Sequence, residues 1–162
     1  MLKNLNRTGA NGAPENRKSS HDIVCCNTAL LVGRAGQGNE HGFSGEPVAH
    51  LLGQQEFWSL PLAVDTSTLI PRPDTECLVE AALELPIAGQ ASVLDLGTGT
   101  GAIALALASE RPGWVVRACD SRQQAVELAA RNAMTLGLPV TVVLSNWFAE
   151  LPSENYDLIV SN

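Results

Sequence analysis

Residues 93 to 101 read VLDLGTGTG and run on into AIALALASE. Gly97, Gly99 and Gly101, interleaved with Thr98 and Thr100, make a backbone that can crook tightly and offer its N–H groups to a ligand, because glycine has no Cβ to hold the ligand off. The carboxylates of Asp95, just ahead of the loop, and Asp120, 25 residues further on, add charge and hydrogen-bond acceptors. Together these residue types suit a nucleotide-like ligand. Gly97, Gly99 and Ala102 satisfy the G-x-G-x-x-G/A spacing of dinucleotide sites, with Asp120 where an acid takes a ribose hydroxyl pair. Asp95 points elsewhere: at the mouth of a strand it repels a pyrophosphate and attracts an ammonium group, directly or through water. S-adenosylmethionine carries an ammonium, a sulfonium and a ribose, and it is the ligand this set favours over NAD. Asp120 taken alone could equally be an N-terminal helix charge.

These residues need elements to position them, and the pattern supplies a regular alternation. SVLDL (92 to 96), WVVRACD (114 to 120), PVTVVLSN (139 to 146) and YDLIVSN (156 to 162) read as strands. Helices are expected over 100 to 110, stopped by Pro112 and Gly113, and from a capping box of Ser121 with Gln124 through Leu136, stopped by Gly137. In the second helix Ala125, Leu128, Ala129, Asn132 and Ala133 share a face. Strands alternating with helices imply an α/β fold with a parallel sheet and right-handed crossovers. Ligands then sit beyond the carboxyl ends of the strands, where Asp95 to Gly101, Asp120, Asn146, Trp147 and Asn162 fall. Upstream, QEFWSLPLAV (55 to 64) reads as an edge strand or hairpin arm, LIPRPDTE (69 to 76) as a rigid turn, and a packing helix follows until Pro86.

Composition narrows the function classes. The 162 residues are 45% hydrophobic, enough for a core. No long apolar run marks a membrane span or secretory signal, so a cytosolic location is expected. Cys25, Cys26, Cys77 and Cys119 have no metal-site spacing. Residues 1 to 45 carry a balance of +2, from five Lys and Arg against three acids, and residues 46 to 162 one of −9, from five Arg against fourteen acids. The first stretch, glycine- and asparagine-rich, suits a poorly ordered arm. The acidic remainder argues against duplex nucleic acid as a partner.

VLDLGTGTGAIALAL, with FWSLPL, LIPRPDTE and the closing IVSN, resembles the peptide chain release factor glutamine methyltransferases over about residues 45 to 162. The resemblance implies a Rossmann-like class I methyltransferase sheet of seven strands. It implies that Gly97, Thr98, Gly99, Thr100 and Gly101 wrap the methionine part of S-adenosylmethionine, that Asp120 takes the ribose hydroxyls and that Trp147 borders the adenine. Asn146 stands where the family usually has aspartate, so its amide oxygen would accept from the adenine amino group without charge assistance. Asn162 would open the family's Asn-Pro-Pro-Tyr motif, border the cofactor, and hold the amide of a glutamine in the Gly-Gly-Gln motif of a class I release factor. An amide nitrogen is a poor nucleophile, and acceptors for its NH2 group would fix it in line with the methyl group.

The chain departs from that pattern where it stops. Pro-Pro-Tyr does not follow Asn162, the fifth to seventh strands are absent, and residues 1 to 44 show no counterpart of the family's N-terminal helical domain. The expected organisation is an arm (1 to 44), a hairpin and packing helix (45 to 90), and a partial cofactor-binding domain (91 to 162) with about four parallel strands. The chain by itself is expected to be inactive; a cofactor-binding fragment without catalysis, or an amino-methyltransferase acting on DNA bases, are the other readings. With the usual strand order, the last strand is expected to leave Leu158, Ile159 and Val160 on an unpaired, aggregation-prone edge.

Overall fold

The computed structural model describes residues 22 to 25 and 48 to 162; apart from Asp22–Cys25, the expected arm lies outside the described residues. In chain order the elements are β1 (Asp22–Cys25), α1 (Val48–Leu52), β2 (Gln54–Phe57), β3 (Leu60–Ala63), a 3-10 turn (Pro73–Thr75), α2 (Glu76–Glu84), β4 (Ser92–Leu96), α3 (Ala102–Glu110), β5 (Val115–Asp120), α4 (Gln123–Leu136), β6 (Val140–Leu144) and β7 (Leu158–Ser161). β2 and β3 pair as an antiparallel hairpin. The other five strands form one sheet in the order β1-β7-β4-β5-β6, and every pairing in it is parallel.

The unpaired edge expected beside β7 does not occur. β1 pairs along it, Asp22 opposite Leu158 through Cys25 opposite Ser161, and Leu158, Ile159 and Val160 are all buried. A segment from before the globular pattern therefore satisfies the backbone groups that the alternation left open.

Period-two alternation sorts the strand residues between two faces. Val93, Val116, Ala118, Leu158 and Val160 join the larger core beneath the helices and hairpin, whereas Leu94, Leu96, Cys119 and Ile159 join a smaller cluster with Tyr156 on the opposite face. Asp95, two residues after Val93, and Asp120, two after Ala118, thus fall on the helix side. α3 is buried from Ala102 to Ala108, as an apolar helix enclosed by α2 and the sheet must be.

α4 does not begin with the expected capping box. Its N-cap is Arg122, with no side-chain cap; instead Asp120 Oδ1 accepts the Arg122 N–H at 3.0 Å. A carboxylate at the end of the preceding strand thus holds the chain at the start of the helix, in place of a hydroxyl cap. The short α1 carries too little periodicity to be read from sequence.

The hairpin is bound to the rest by polar contacts. Its turn places Trp58 and Ser59 at φ 52 and 59, a left-handed conformation costing about 1–2 kcal/mol per residue without glycine. The Trp58 N–H donates to Glu76 Oε1 at 2.9 Å and its indole N–H to Glu110 Oε1 at 2.8 Å, tying the turn to α2 and α3. At the other end, buried Asn132 on α4 accepts the Ala63 N–H at 2.9 Å and donates to the carbonyls of Ala63 at 3.0 Å and Thr100 at 2.9 Å. One amide links the hairpin, α4 and the glycine loop.

Replacing Asn132 by alanine strands these three backbone groups, and urea denaturation should show a loss of about 2–4 kcal/mol. Ser59→Gly relieves the turn and should raise stability by about 1 kcal/mol in the same assay; a loss would show that the left-handed turn is not a source of strain.

Candidate functional site

The loop after β4 hangs from the end of β5. The N–H groups of Gly97 and Thr98 both donate to the Cys119 carbonyl at 2.9 Å, which turns the chain sharply out of the sheet. Gly97 and Gly99 hold φ of 76 and 55, where L side chains are strained. A Cβ on either would meet no atom within 4 Å, so the space beside them is open to a ligand. Gly101 differs. At φ 86 it caps α3, and a Cβ there would press on Leu105 Cδ1 at 3.1 Å and Ala129 Cβ at 3.2 Å. Its need is close packing of α3 against α4, not access for a ligand.

Both aspartates brace this loop. Asp120 Oδ2 accepts the Gly99 N–H at 3.0 Å while Oδ1 holds Arg122, so the carboxylate is fixed by two backbone groups and keeps lone pairs for further donors. Asp95 Oδ2 accepts the Thr98 hydroxyl at 2.6 Å. Asp95 is 1% exposed, and its Oδ1 has no hydrogen-bond partner among the described residues; the nearby Ala104 amide favours the charged form without meeting bonding geometry. Burial pushes the Asp95 carboxyl up to about 6, opposed by the Thr98 bond and assisted by the charge of Asp120.

A cleft of about 680 Å³ opens above the loop, lined by Gly97, Thr98, Gly99, Thr100, Ala102, Ile103, Asp120, Arg122 and Asn162, and across from them by Leu69 to Arg72, Asp74, Thr75 and Cys77. The structure therefore brings together most of the residues that the sequence singled out. Asp95 is not among the lining residues: it lies beneath the floor, behind Thr98, where the sequence reading had it facing the ligand. Asn146 and Trp147 also stand apart from the cleft. They follow Ser145, whose N–H donates to the Asp120 carbonyl at 2.9 Å, so their turn is anchored to the same strand end. Trp147 is 65% exposed and held at φ 56, its carbonyl accepting the Ser145 hydroxyl at 2.7 Å.

Sequence reasoning missed the opposite wall. The composition of LIPRPDTE predicts a rigid turn, yet nothing in it says that Ile70, Arg72 and Thr75 line the same cleft as the glycine loop. Arg122 could have been suspected from its place two residues after Asp120. A second cleft, of about 640 Å³ and lined by Asp65, Thr66, Ser67, Arg122, Gln124, Glu127 and Arg131, is stocked with charges that answer one another: Arg131 meets Asp65 at 3.5 Å, and the Ser67 hydroxyl and backbone hold the Asp65 carboxyl below its ordinary value.

A raised carboxyl disfavours the charged native form, so the contribution of Asp95 to stability is full below the unfolded value near 3.8 and is lost as pH rises through about 6. At about 1.4 kcal/mol per pH unit the loss approaches ~3 kcal/mol. Asp95→Asn, which keeps an acceptor for Thr98, should gain on the parent chain by about that amount between pH 4 and pH 7.5 in denaturation experiments. A pH-independent difference would contradict the burial argument.

The profile of the methyltransferase small domain matches residues 73 to 162. Relatives named release factor glutamine methyltransferase share 59% identity over 73% of this chain and 42% of theirs in Shewanella oneidensis, 56% over 73% and 43% in Escherichia coli, and 59% over 74% and 44% in Pseudomonas aeruginosa. The chain thus spans less than half the length of these curated relatives. Among solved structures, a tRNA uracil methyltransferase of Pyrococcus abyssi in complex with S-adenosyl-L-homocysteine aligns at TM-score 0.55 and 20% identity, over 65% of this chain and 26% of that one, a likeness of fold. A profile match over more than half of its residues makes this chain a member of the methyltransferase small domain family.

Proposed function

We propose that the chain forms the donor- and amide-binding part of an S-adenosylmethionine-dependent methyltransferase that modifies the side-chain nitrogen of the glutamine in the Gly-Gly-Gln motif of peptide chain release factors. The observation that carries the reading is the single cleft in which open glycine backbone, a fixed carboxylate at the next strand end and Asn162 converge. The identity to relatives bearing that name supports the choice of substrate. Such an enzyme works in the cytoplasm on class I release factors, without binding nucleic acid directly or touching a membrane.

The residues present fit the donor. The open sides of Gly97 and Gly99 admit its amino-acid part against backbone, and Asp120 offers its remaining lone pairs to the ribose hydroxyls. Asn146 and Trp147, tied to the Asp120 strand end through Ser145, lie in the direction of the base; the exposed indole gives it a flat apolar surface. Asp95 contributes from below the floor, holding Thr98 and adding negative potential where a cationic donor sits. The bound donor supplies an electrophilic methyl group on a sulfonium. Asn162 supplies the acceptor for an N–H of the target amide, which orients a weakly nucleophilic nitrogen towards that methyl.

Calorimetry should show binding of S-adenosylhomocysteine and not of NAD. Asp120→Ala should weaken that binding by more than about ten-fold, as expected for the loss of charge-assisted hydrogen bonds. Binding of NAD alone would overturn the reading. Labelled methyl from S-adenosylmethionine should appear on a release factor and vanish when its Gly-Gly-Gln glutamine is replaced by alanine; label on DNA adenine or cytosine instead would identify a base-modifying enzyme.

A further inference from the structure

The geometry points to Thr75 as a positioning residue that sets which edge of the Asn162 side-chain amide faces the reacting amide, an inference that rests on the proposed amide-methylating function. Thr75 occupies the N-cap position of α2, where a threonine hydroxyl ordinarily accepts a backbone N–H of the first turn. Here it makes no side-chain cap. Its oxygen instead accepts a hydrogen bond from Asn162 Nδ2 at 3.1 Å, across 87 residues of sequence. Thr75 is 7% exposed, so the contact is sheltered from water on the threonine side.

A primary amide has distinct edges, donors on nitrogen and an acceptor on oxygen, and rotation about the side chain exchanges them at little cost in water. The Thr75 hydroxyl could meet either edge, and here it accepts from Nδ2, which favours one of them. The oxygen edge then turns the other way, and an acceptor is what an incoming NH2 group requires. A methyl or a bare apolar wall at position 75 would remove the preference that this contact gives to one edge.

The threonine is itself held rigidly. Its N–H donates to the Arg72 carbonyl at 3.0 Å, closing the 3-10 turn between Pro71 and Glu76, and the Glu76 N–H donates to the Pro73 carbonyl. Glu76 in turn accepts the backbone N–H of Trp58 at 2.9 Å. The strained hairpin turn, the proline-bounded 3-10 turn and Thr75 thus form one continuous support behind Asn162. This gives FWSLPL and LIPRPDTE a shared purpose that the glycine loop does not explain: they brace the acceptor, while the loop holds the donor.

The test compares the chain with its Thr75→Val and Thr75→Ser forms by two independent readouts. In 15N-labelled protein, hydrogen exchange at the Asn162 side-chain NH2 should speed up by roughly ten-fold in Thr75→Val, the effect of losing one hydrogen bond, and return in Thr75→Ser. In methyl transfer to a release factor, Thr75→Val should lower kcat by roughly ten- to a hundred-fold through misorientation, with affinity for S-adenosylhomocysteine within about two-fold of the parent, and Thr75→Ser should restore kcat. Unchanged exchange at Asn162, an unchanged kcat despite altered exchange, or a kcat loss that serine does not repair would overturn the inference. Failure of the parent chain to transfer methyl would count against the proposed function instead, and the exchange measurement would still decide the Thr75 contact.

Discussion

The Cys119 carbonyl, accepting two consecutive N–H groups from Gly97 and Thr98, is the constraint on which the cleft depends. Only a chain that leaves β4 in a tight left-handed crook can deliver both donors to one oxygen on the neighbouring strand. That crook holds Gly97 and Gly99 at left-handed φ and brings the Gly99 N–H within reach of Asp120. The parallel register of β4 and β5, which sets Leu96 opposite Cys119, is what places the oxygen there. Sheet pairing, loop conformation and the position of the cleft-lining carboxylate are therefore a single geometric fact.

The two aspartates divide the work that the crook creates. Asp120 is fixed from both sides and faces the cleft, whereas Asp95 is fixed from one side and hidden. A buried carboxylate with an unsatisfied oxygen is costly, and its cost is tolerable where a cationic ligand close by would favour the charged form. The opposite wall follows another logic. It is formed by Leu69 to Arg72, Asp74, Thr75 and Cys77, and the strained hairpin turn behind it is held to Glu76 and Glu110 through Trp58.

Much of this was legible in sequence because it is local or periodic. Alternation placed β4, β5, β6 and β7 within a few residues, and the loop together with the acid on the next strand end identified the cleft. The misreadings share a cause, which is that distant groups compete for the same donors. Ser121 looked like a cap because Asp120 was not known to reach Arg122. Gly101 looked like part of the ligand surface because its contact with Ala129 joins two helices. Asp95 was placed at the mouth because a strand-end position fixes the backbone and not the depth. The pairing of β1 with β7, the Asn132 linkage and the Thr75 contact join residues far apart in the chain, and no spacing rule encodes them. The value of Leu69 to Thr75 as a cleft wall was hidden for the same reason.

The central claim, that the crook and the strand-end carboxylate form a cradle for a cationic nucleoside donor, is tested most directly by a crystal structure of the chain soaked with S-adenosylhomocysteine. The account expects the ribose hydroxyls on Asp120 and the amino-acid portion along Gly97 to Gly99, with no displacement of the Thr98 to Asp95 bond. A ligand seated in the charged cleft of Asp65 and Arg131, or one that reaches the glycine loop only after the Gly97 and Thr98 amides have left Cys119, would contradict it.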